Sequence, residues 1–395
     1  MKSAPIVLVA REDELTEAAA RLGRADRVAV DVESNGLFKF RAALCMIQLA
    51  TSEDVVIVDP LATPLGALRT LLGPDGPRKI VHDVAFDARI LAEAGIPLAN
   101  VFDTSLAARM LGRTATGLAS LLGSELAITV DKKLQHHDWT ERPVTREQLR
   151  YLADDVVHLD ALAARLLAEM EERAQTTGES IADVVEEETR YRLAQAATAA
   201  GTTDPRPPYV RLKGIERVPV AELPILRRIA QVREEKAKSL DVPPYKVLGP
   251  DVLFAIARAK PTSLAELERV KGATNGGRAR GIARAMLEAV VAGISDEGLI
   301  PDEERAMFER PRIAPALLKA RRDREGRLTS WRKAEAKRRG VDEQVVLPGH
   351  CLQDLADLGP EATLESIAQV PGIGAFRVQR DGEAIVRALA AEAER

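Results

Sequence analysis

The segment at residues 28–33, VAVDVE, places two carboxylates one residue apart in a run that otherwise predicts a buried strand. Its valines are β-branched, and the run suits a strand covered on both faces. Because side chains alternate along a strand, Asp31 and Glu33 point to the same side. Burying two carboxylates together is costly unless their charge is compensated. Bound cations are one explanation for the pair, and an ordinary turn or helix cap at the strand end is the alternative.

The first 170 residues alternate predicted strands with predicted helices, which is the pattern of an α/β domain. After VAVDVE, the predicted strands are LCMIQLA, DVVIVDP, KIVHDV and VFDT. VAVDVE and LCMIQLA are expected to be neighbours in the sheet. A helix over AFDARILAEAG ends at Gly95. The capping-box sequence TREQ starts one long predicted helix near Thr145, which continues to about residue 174.

The rest of the chain shows only helical patterns, interrupted by Pro and Gly. We predict a domain over residues 1–200 with a trailing helix, a linker over 201–216 rich in Pro and Gly, and helical modules over 217–296 and 311–394. The two modules are weakly similar copies. TSLAELERVKG in the first corresponds to ATLESIAQVPG in the second, and each copy ends on an apolar helix.

Charge divides the chain into unlike halves. Residues 1–200 contain 22 Lys and Arg against 31 Asp and Glu, whereas residues 201–395 contain 34 against 29. An acidic half can hold cations and a basic half can hold phosphates. Because Cys45 and Cys351 are the only cysteines, neither a disulfide framework nor a cysteine zinc site is expected, and a reducing cytoplasm fits best. No apolar run is long enough to span a membrane.

Further acids recur along the first domain. Asp87 follows a predicted strand and lies on a helix, and Asp155 lies four residues after Tyr151, on the same helical face. Asp154 points about 100° away from Asp155. Taken singly, each of these is an ordinary helix residue. Gathered by the fold with Asp31 and Glu33, they would form an all-oxygen site that suits Mg²⁺ or Mn²⁺, and two such ions can hydrolyse phosphodiesters.

The order of these motifs resembles the DEDD exonucleases that have a tyrosine in the third motif, and the ribonuclease D family most closely. The resemblance depends on D-x-E at 31–33, on Asp87 after VH, and on VDKKLQHHDWTERPVTREQLRYLADDVVHL at 130–159. The helical modules resemble the helicase-and-ribonuclease-D C-terminal (HRDC) domain. The resemblance implies a ribonuclease H-like (DnaQ-like) α/β exonuclease domain with a mixed central sheet, followed by two small all-α HRDC-type domains.

The resemblance also implies roles for individual residues. Asp31, Glu33, Asp87 and Asp155 become ligands of two divalent cations, Mg²⁺ or Mn²⁺, and Tyr151 orients the attacking water. Asp103 supports the site and can cap the helix that follows it. The sequence departs from the family at His137, Val144 and Leu152, but none of these departures removes a ligand. His136 and His137 are either exposed loop residues or extra nitrogens near the site, and core packing is the simpler role for His82.

Residues that contact the substrate are predicted more broadly. Phe38 and Phe40 either stack on the terminal base or pack at an edge, and Lys132 either contacts phosphate or is a surface residue. The run 319–339 contains ten Lys and Arg against three acids. Within it we select four residues for backbone contact, since most of a run like this is otherwise a solvated helix face: Arg321, Arg322, Lys337 and Arg338. VPGIGAFRVQR resembles a hairpin-like phosphate-binding turn, whose glycines expose backbone amides.

The sequence therefore predicts a cytoplasmic, metal-dependent 3′→5′ exoribonuclease that trims RNA 3′ ends, plausibly of transfer RNA precursors, and releases nucleoside 5′-monophosphates. RNA is the expected partner, and a monomer is favoured. The alternatives are a DNA 3′→5′ exonuclease used in repair and a non-catalytic nucleic-acid adaptor. A helicase is not expected, because the sequence has no G-x-x-x-x-G-K-[ST] loop.

Overall fold

The computed structural model describes residues 5–131, 133–200, 204–296, 299–307 and 314–390. These residues form two compact units. The first unit contains the described parts of 1–34, 44–201 and 313–395, and the second contains 35–43 and the described part of 202–312. Within the described residues, no helix combines the length and the apolar character that a bilayer span requires.

A six-stranded mixed sheet forms the centre of the first unit. Its strands are β1 (Ile6–Val9), β2 (Arg27–Ser34), β3 (Leu44–Ala50), β4 (Val55–Val58), β5 (Arg78–Val81) and β6 (Val101–Asp103), in the spatial order β1-β4-β3-β2-β5-β6. Strand β2 is antiparallel to β3 and parallel to β5. The predicted mixed sheet and the pairing of its first two predicted strands are confirmed. The sequence analysis missed β1, because a four-residue apolar run has no diagnostic periodicity.

Eight helices of the first unit precede residue 200. They are α1 (Glu12–Leu22), α2 (Leu68–Leu72), α3 (Val84–Glu93), α4 (Thr104–Met110), α5 (Leu118–Leu126), α6 (Arg146–Asp154), α7 (Leu159–Thr177) and α8 (Ile181–Ala199). The capping box at Thr145 is present. The prediction of one long helix from Thr145 is wrong, because residues 155–158 form turns between α6 and α7. Aspartate has a weak helix propensity, and the break occurs directly after two of them.

The second unit is helical and has its own core. Its helices are α9 (Leu223–Ser239), α10 (Pro250–Ala259), α11 (Leu264–Arg269), α12 (Gly276–Arg280), α13 (Ala283–Ser295) and α14 (Asp302–Ala306), with single 3₁₀ turns at Ile215–Arg217, Val220–Glu222 and Pro244–Lys246. The predicted linker 201–216 is not a simple connector. Tyr209, Val210 and Leu212 are buried in this core, since the stretch carries large apolar side chains between its prolines.

The second helical module belongs to the first unit, although the sequence suggested a separate module at the end of the chain. Its helices are α15 (Pro315–Arg339), α16 (Glu343–Val346), α17 (Cys351–Asp357), α18 (Leu364–Ala368) and α19 (Ala375–Ala390). The module has a core of its own, formed by Leu328, Leu355 and Ile385 among others. Cys351 and Cys45 are both buried free thiols.

Candidate active site

The two acids of the opening motif lie side by side on an interior strand. Asp31 is opposite Gln48 of β3, and Glu33 is opposite Met46, so both carboxylates are on the same face of the sheet. The pairing shifts by one residue directly after Glu33, where β2 leaves its regular register with β3. An irregularity of this kind bends a strand locally, and β2 ends one residue later, at Ser34.

The third carboxylate belongs to Asp155, at the C-terminal end of helix α6. Asp155 is the C-cap residue of α6, and the chain then turns through residues 155–158 before α7 begins. One carboxylate oxygen from each of Asp31, Glu33 and Asp155 lies within 4.8 Å of the other two. Asp154 is exposed and is not a member of this group, so the choice of Asp155 over its neighbour agrees with the geometry.

Burial and mutual repulsion raise the pKa of each carboxylate in this group. Removal from water is the largest cause for Asp31, whose pKa lies well above its usual range, and the charge of Asp155 adds to it. Desolvation, then the charges of Asp31 and Asp155, raise the pKa of Glu33 to about 9. Desolvation followed by the charge of Asp154 raises the pKa of Asp155 to about 7. A group of partly buried acids with raised pKa values is typical of a functional site.

Asp87 faces the same group from helix α3. Its side chain is 4% exposed, and its Oδ2 atom has no hydrogen-bond partner among the described residues. Desolvation is the main reason why its pKa is raised, and the charges of Asp31 and Glu33 are among the others. Asp87 therefore lies within electrostatic reach of the first pair, although it is outside the group of three whose oxygens lie within 4.8 Å.

Asp103 fixes the start of the helix that carries Asp87. This fully buried residue accepts hydrogen bonds from the backbone amides of Asp83 and Val84, at the start of α3, at 3.1 and 3.0 Å. It also caps α4 by accepting from the amides of Ser105 and Leu106, at 2.9 and 3.1 Å. The predicted cap is confirmed, and one carboxylate orders two helix starts. His82 hydrogen bonds to Thr104 at 2.9 Å, again in support of this corner.

Tyr151 reaches the acids from one turn before Asp155 and is held by a buried tryptophan. Its ring centroid is 5.8 Å from that of Trp139, which is 2% exposed. His137 packs edge-on against Trp139 at 5.0 Å, and its Nε2 atom lies 2.6 Å from the side-chain nitrogen of Gln148 in the capping box. His137 thus packs against Trp139, and no described histidine belongs to the group formed by Asp31, Glu33 and Asp155. His136 is exposed.

Two residues of this site were missed by the sequence analysis. Trp139 was noted only as part of a family motif, although a tryptophan 2% exposed must contact something large. Gln48 is fully buried, and neither polar atom of its side chain has a hydrogen-bond partner among the described residues. It is directly opposite Asp31. The available signal was a single amide inside the apolar strand LCMIQLA, since a buried amide without partners is uncommon.

A cleft of about 420 Å³ opens beside the carboxylates. Asp31, Tyr151 and Asp155 line one side of it, and His82, Arg109 and Gln135 are among the other lining residues. The cleft therefore combines an acidic floor with a guanidinium, which is a suitable setting for a phosphate beside cations.

The two phenylalanines predicted to contact the substrate belong to a different unit from the carboxylates. Phe38 and Phe40 both belong to the second unit, where Lys246 lies 4.5 Å over the Phe38 ring and Phe40 packs against the core. For Phe40, the observed contact with the core supports the packing alternative rather than stacking on a base. Lys132 lies outside the described residues. Stacking on a terminal base stays a prediction for both phenylalanines.

The basic helix α15 is largely committed to internal pairs. Arg321 forms an ion pair with Asp357 at 2.7 Å, and Arg338 pairs with Glu335 at 2.5 Å. Arg322 and Lys337 are exposed, and no ion pair involving either is seen among the described residues. The four selected cations thus divide into two that already have acidic partners and two that are available for phosphate.

Comparisons with known proteins identify the relatives of this chain. Residues 6–171 match the 3′-5′ exonuclease family, and residues 222–290 and 322–389 match the HRDC domain. Ribonuclease D of Gluconacetobacter diazotrophicus is 30% identical over 319 residues, which cover 79% of this chain and 78% of that protein. Ribonuclease D of Acidiphilium cryptum is 31% identical over 308 residues, covering 75% and 74%.

Solved structures show the same fold. Escherichia coli RNase D, described as an exoribonuclease involved in structured RNA processing, superimposes with a TM-score of 0.68 at 21% identity, covering 98% of both chains. A protein from Bifidobacterium adolescentis gives a TM-score of 0.75 at 20% identity, covering 98% of this chain and 100% of that one. The predicted fold class is confirmed. The chain belongs to the ribonuclease D family, as predicted from its motifs.

Proposed function

We propose that this ribonuclease D family member is a metal-dependent 3′→5′ exoribonuclease whose reaction takes place at Asp31, Glu33, Asp87 and Asp155. One observation carries the proposal: three partly buried carboxylates place oxygens within 4.8 Å of one another, and no cation among the described side chains forms an ion pair with any of them. Isolated acids in that position are unfavourable. Divalent cations would compensate their charge.

The donor set fits hard divalent cations. All four side chains offer oxygen, which Mg²⁺ and Mn²⁺ prefer, and neither a thiolate nor an imidazole belongs to the group among the described residues. The Oδ2 atom of Asp87, which is buried and has no hydrogen-bond partner, provides a free ligand position. We assign Asp31, Glu33 and Asp155 to the shared centre and Asp87 to its edge, and we propose two cations, either Mg²⁺ or Mn²⁺.

The residues of the chain divide the work. When bound, the cations supply activation of water and neutralisation of charge on the scissile phosphate. The Tyr151 hydroxyl orients the attacking water. Desolvation and the charge of Asp155 raise the pKa of Tyr151 well above its usual value, so the phenol stays protonated near neutral pH and is not the base. Arg109, on the cleft wall, is placed to bind a substrate phosphate.

The proposed substrate is the 3′ end of an RNA, plausibly a transfer RNA precursor, and the products are nucleoside 5′-monophosphates. The choice of RNA rests on the named relatives, since the described site has no feature that distinguishes ribose from deoxyribose. We further propose a cytoplasmic monomer. The segment boundaries 1–200, 201–216, 217–296 and 311–394 remain our proposed division of the chain.

One cleavage experiment tests the proposed function against two alternatives, a DNA exonuclease and a non-catalytic nucleic-acid adaptor. Single-stranded RNA and DNA of one sequence, each labelled at the 5′ end, are incubated with the full chain in EDTA, Mg²⁺ or Mn²⁺. We expect a ladder that shortens from the 3′ end of the RNA only when metal is present. Faster degradation of DNA would indicate a repair exonuclease. Binding of RNA without cleavage under every metal condition would indicate a non-catalytic adaptor.

A further inference from the structure

The glycine turn of the second helical module lies against helix α8. Its backbone passes through left-handed conformations at Gly372 and Gly374, with φ of 83° and 81°, and then enters α19 at Ala375. This path exposes the first amides of the helix, which carry no partner inside the helix. Such amides form a concave site for an anion.

A carboxylate from the exonuclease domain fills that site. Glu187 of α8 is 7% exposed, and its Oε1 atom accepts a hydrogen bond from the amide of Phe376 at 2.5 Å. Its Oε2 atom has no hydrogen-bond partner among the described residues, although Arg377 Nη1 lies 3.7 Å away. A Cβ atom at Gly374 would overlap this carboxylate. The turn therefore needs glycine for two reasons, its positive φ and the close approach of an acid.

The same face of α8 makes further contacts with the module. Tyr191, one turn after Glu187, stacks on His350 with ring centroids 4.5 Å apart and an interplanar angle of 3°. At the start of α8, Glu179 pairs with Arg380 at 3.2 Å and with Arg339 at 3.5 Å. Both arginines also contact Asp381. The ring stack and these ion pairs are further contacts between the α8 region and the second helical module.

Arg377 ties the turn to the rest of its own module. This fully buried guanidinium donates to the carbonyls of Ile373 and Gln344 at 3.3 and 3.1 Å. It thereby holds the turn open towards α8 and provides the nearest positive charge to Glu187. A buried carboxylate is tolerated when it meets amide donors and a nearby cation, and Glu187 meets both.

We propose that the turn at residues 371–376 is an anion-binding turn whose resident anion is the Glu187 carboxylate. The contact joins the second helical module to the exonuclease domain. In the folded protein the turn is closed to nucleic-acid phosphate, and this module acts as part of the catalytic body. Removal of the Glu187 side chain opens a vacant site for a small free anion of the same chemistry.

The test uses the full chain with Glu187→Ala, and Glu186→Ala as the matched control, because Glu186 is exposed and adjacent. Thermal unfolding is followed with formate, inorganic phosphate or chloride at equal ionic strength. We expect Glu187→Ala to lower Tm by roughly 5 °C, as the loss of a charged hydrogen bond implies. Formate or phosphate should restore a large part of that loss beyond chloride. Glu186→Ala should not differ from wild type.

Hydrogen exchange at the Phe376 amide gives a second measurement. This amide should lose protection in Glu187→Ala, regain it with formate, and stay protected in Glu186→Ala. If Glu187→Ala does not fold, Glu187→Gln replaces it, and partial loss of protection is then expected. An unchanged Tm and unchanged Phe376 protection without Glu187, or an equal response to all three anions, would overturn the proposal.

The substitution Gly374→Ala tests the filled turn without changing Glu187. A methyl group there would meet the Glu187 carboxylate in addition to the strain of a positive φ. Gly359→Ala is the control, since Gly359 has a φ of 85° but no atom within 4 Å of the added carbon. We expect Gly374→Ala to destabilise the chain clearly more than Gly359→Ala does. Equal destabilisation by the two substitutions would count against a filled turn.

Discussion

The indole of Trp139 lies against the ring of Tyr151, with centroids 5.8 Å apart and planes inclined by 31°. Trp139 is 2% exposed, whereas Tyr151 is partly exposed and lines the cleft beside the carboxylates. A buried ring therefore supports a ring that lines the cleft. This arrangement explains why DW at 138–139 and Y at 151 belong to one motif, because the first positions the second.

The support by Trp139 predicts a graded loss. Trp139→Phe keeps an aromatic contact but leaves a gap, so stability should fall by about 1–3 kcal/mol. Turnover should fall roughly tenfold, because small displacements of a positioning group are costly. KM should change little. Single-turnover rates and chemical denaturation measure the two effects, and a stable variant with a wild-type rate would exclude the positioning role.

Tyr151→Phe removes only the hydroxyl. We expect the single-turnover rate to fall by about 10²-fold, the usual scale for a group that acts on the attacking water. Metal affinity and RNA affinity should remain within about twofold, since the hydroxyl is not assigned to either. Metal titration and RNA binding are measured beside cleavage. A comparable loss of metal affinity would place Tyr151 among the ligands instead.

The raised pKa values predict how the metal-free protein responds to pH. Glu33 and Asp155 titrate near 9 and 7 in the folded chain, above their usual values of 4.5 and 3.8. Between the usual pKa and the raised pKa of each group, the folded state holds more protons than the unfolded state. The contribution of these groups to the free energy of unfolding is therefore greatest at low pH and is lost as the pH rises through their raised pKa values. Between pH 6 and 8, Tm should fall by several degrees in EDTA.

Two changes should flatten that slope. Asp155→Asn removes one of the titrating groups, and saturating Mg²⁺ or Mn²⁺ replaces the protons that the site holds. Calorimetry at pH 6, 7 and 8 gives the comparison. A Tm in EDTA that rises over this range, or one that metal leaves sloping in the same way, would show that the carboxylates are not the repelling group described here.

The basic helix predicts an unequal contribution of its cations to RNA binding. Arg322 and Lys337 are exposed and without an ion pair among the described residues, whereas Arg321 and Arg338 already pair with Asp357 and Glu335. The double substitution of Arg322 and Lys337 by Ala should therefore weaken binding more than that of Arg321 and Arg338. It should also reduce the slope of log affinity against log salt by about 1–2.

Titrations of a long RNA at several salt concentrations test this difference. Both double variants remove two charges, so net charge is matched between them. An equal loss in the two variants would mean that internal pairing does not govern which cations bind RNA. No loss in either would remove α15 from the RNA-binding surface.

Much of the site could be predicted from the sequence because its motifs are local. A D-x-E pair on a strand needs only the strand period, and Tyr151 with Asp155 needs only the helix period. Asp87 could be joined to them only through family resemblance. The break after Asp154 was missed, since the sequence around it continues a helical pattern although the structure has a turn between α6 and α7.

Long-range pairing could not be predicted at all. The carboxylate of Glu187 and the amide of Phe376 are 189 residues apart in the chain, and nothing near either one identifies the other. For the same reason, the charge run 319–339 suggested a free basic surface, although Asp357, Glu335 and Asp381 neutralise part of it. Charge counted along a sequence overestimates the charge that is available to a partner.

The most direct test of the metal site compares two neighbouring aspartates. Asp155→Asn and Asp154→Asn differ by one position in the chain and remove the same charge. With 3′-extended single-stranded RNA and saturating metal, the single-turnover rate of Asp155→Asn should fall by roughly 10³-fold or more, because the two-ion arrangement needs this ligand. Asp154→Asn should stay within about threefold of wild type. A folded Asp155→Asn variant with near-normal cleavage, or equal losses in both variants, would contradict the assignment of the carboxylate centre.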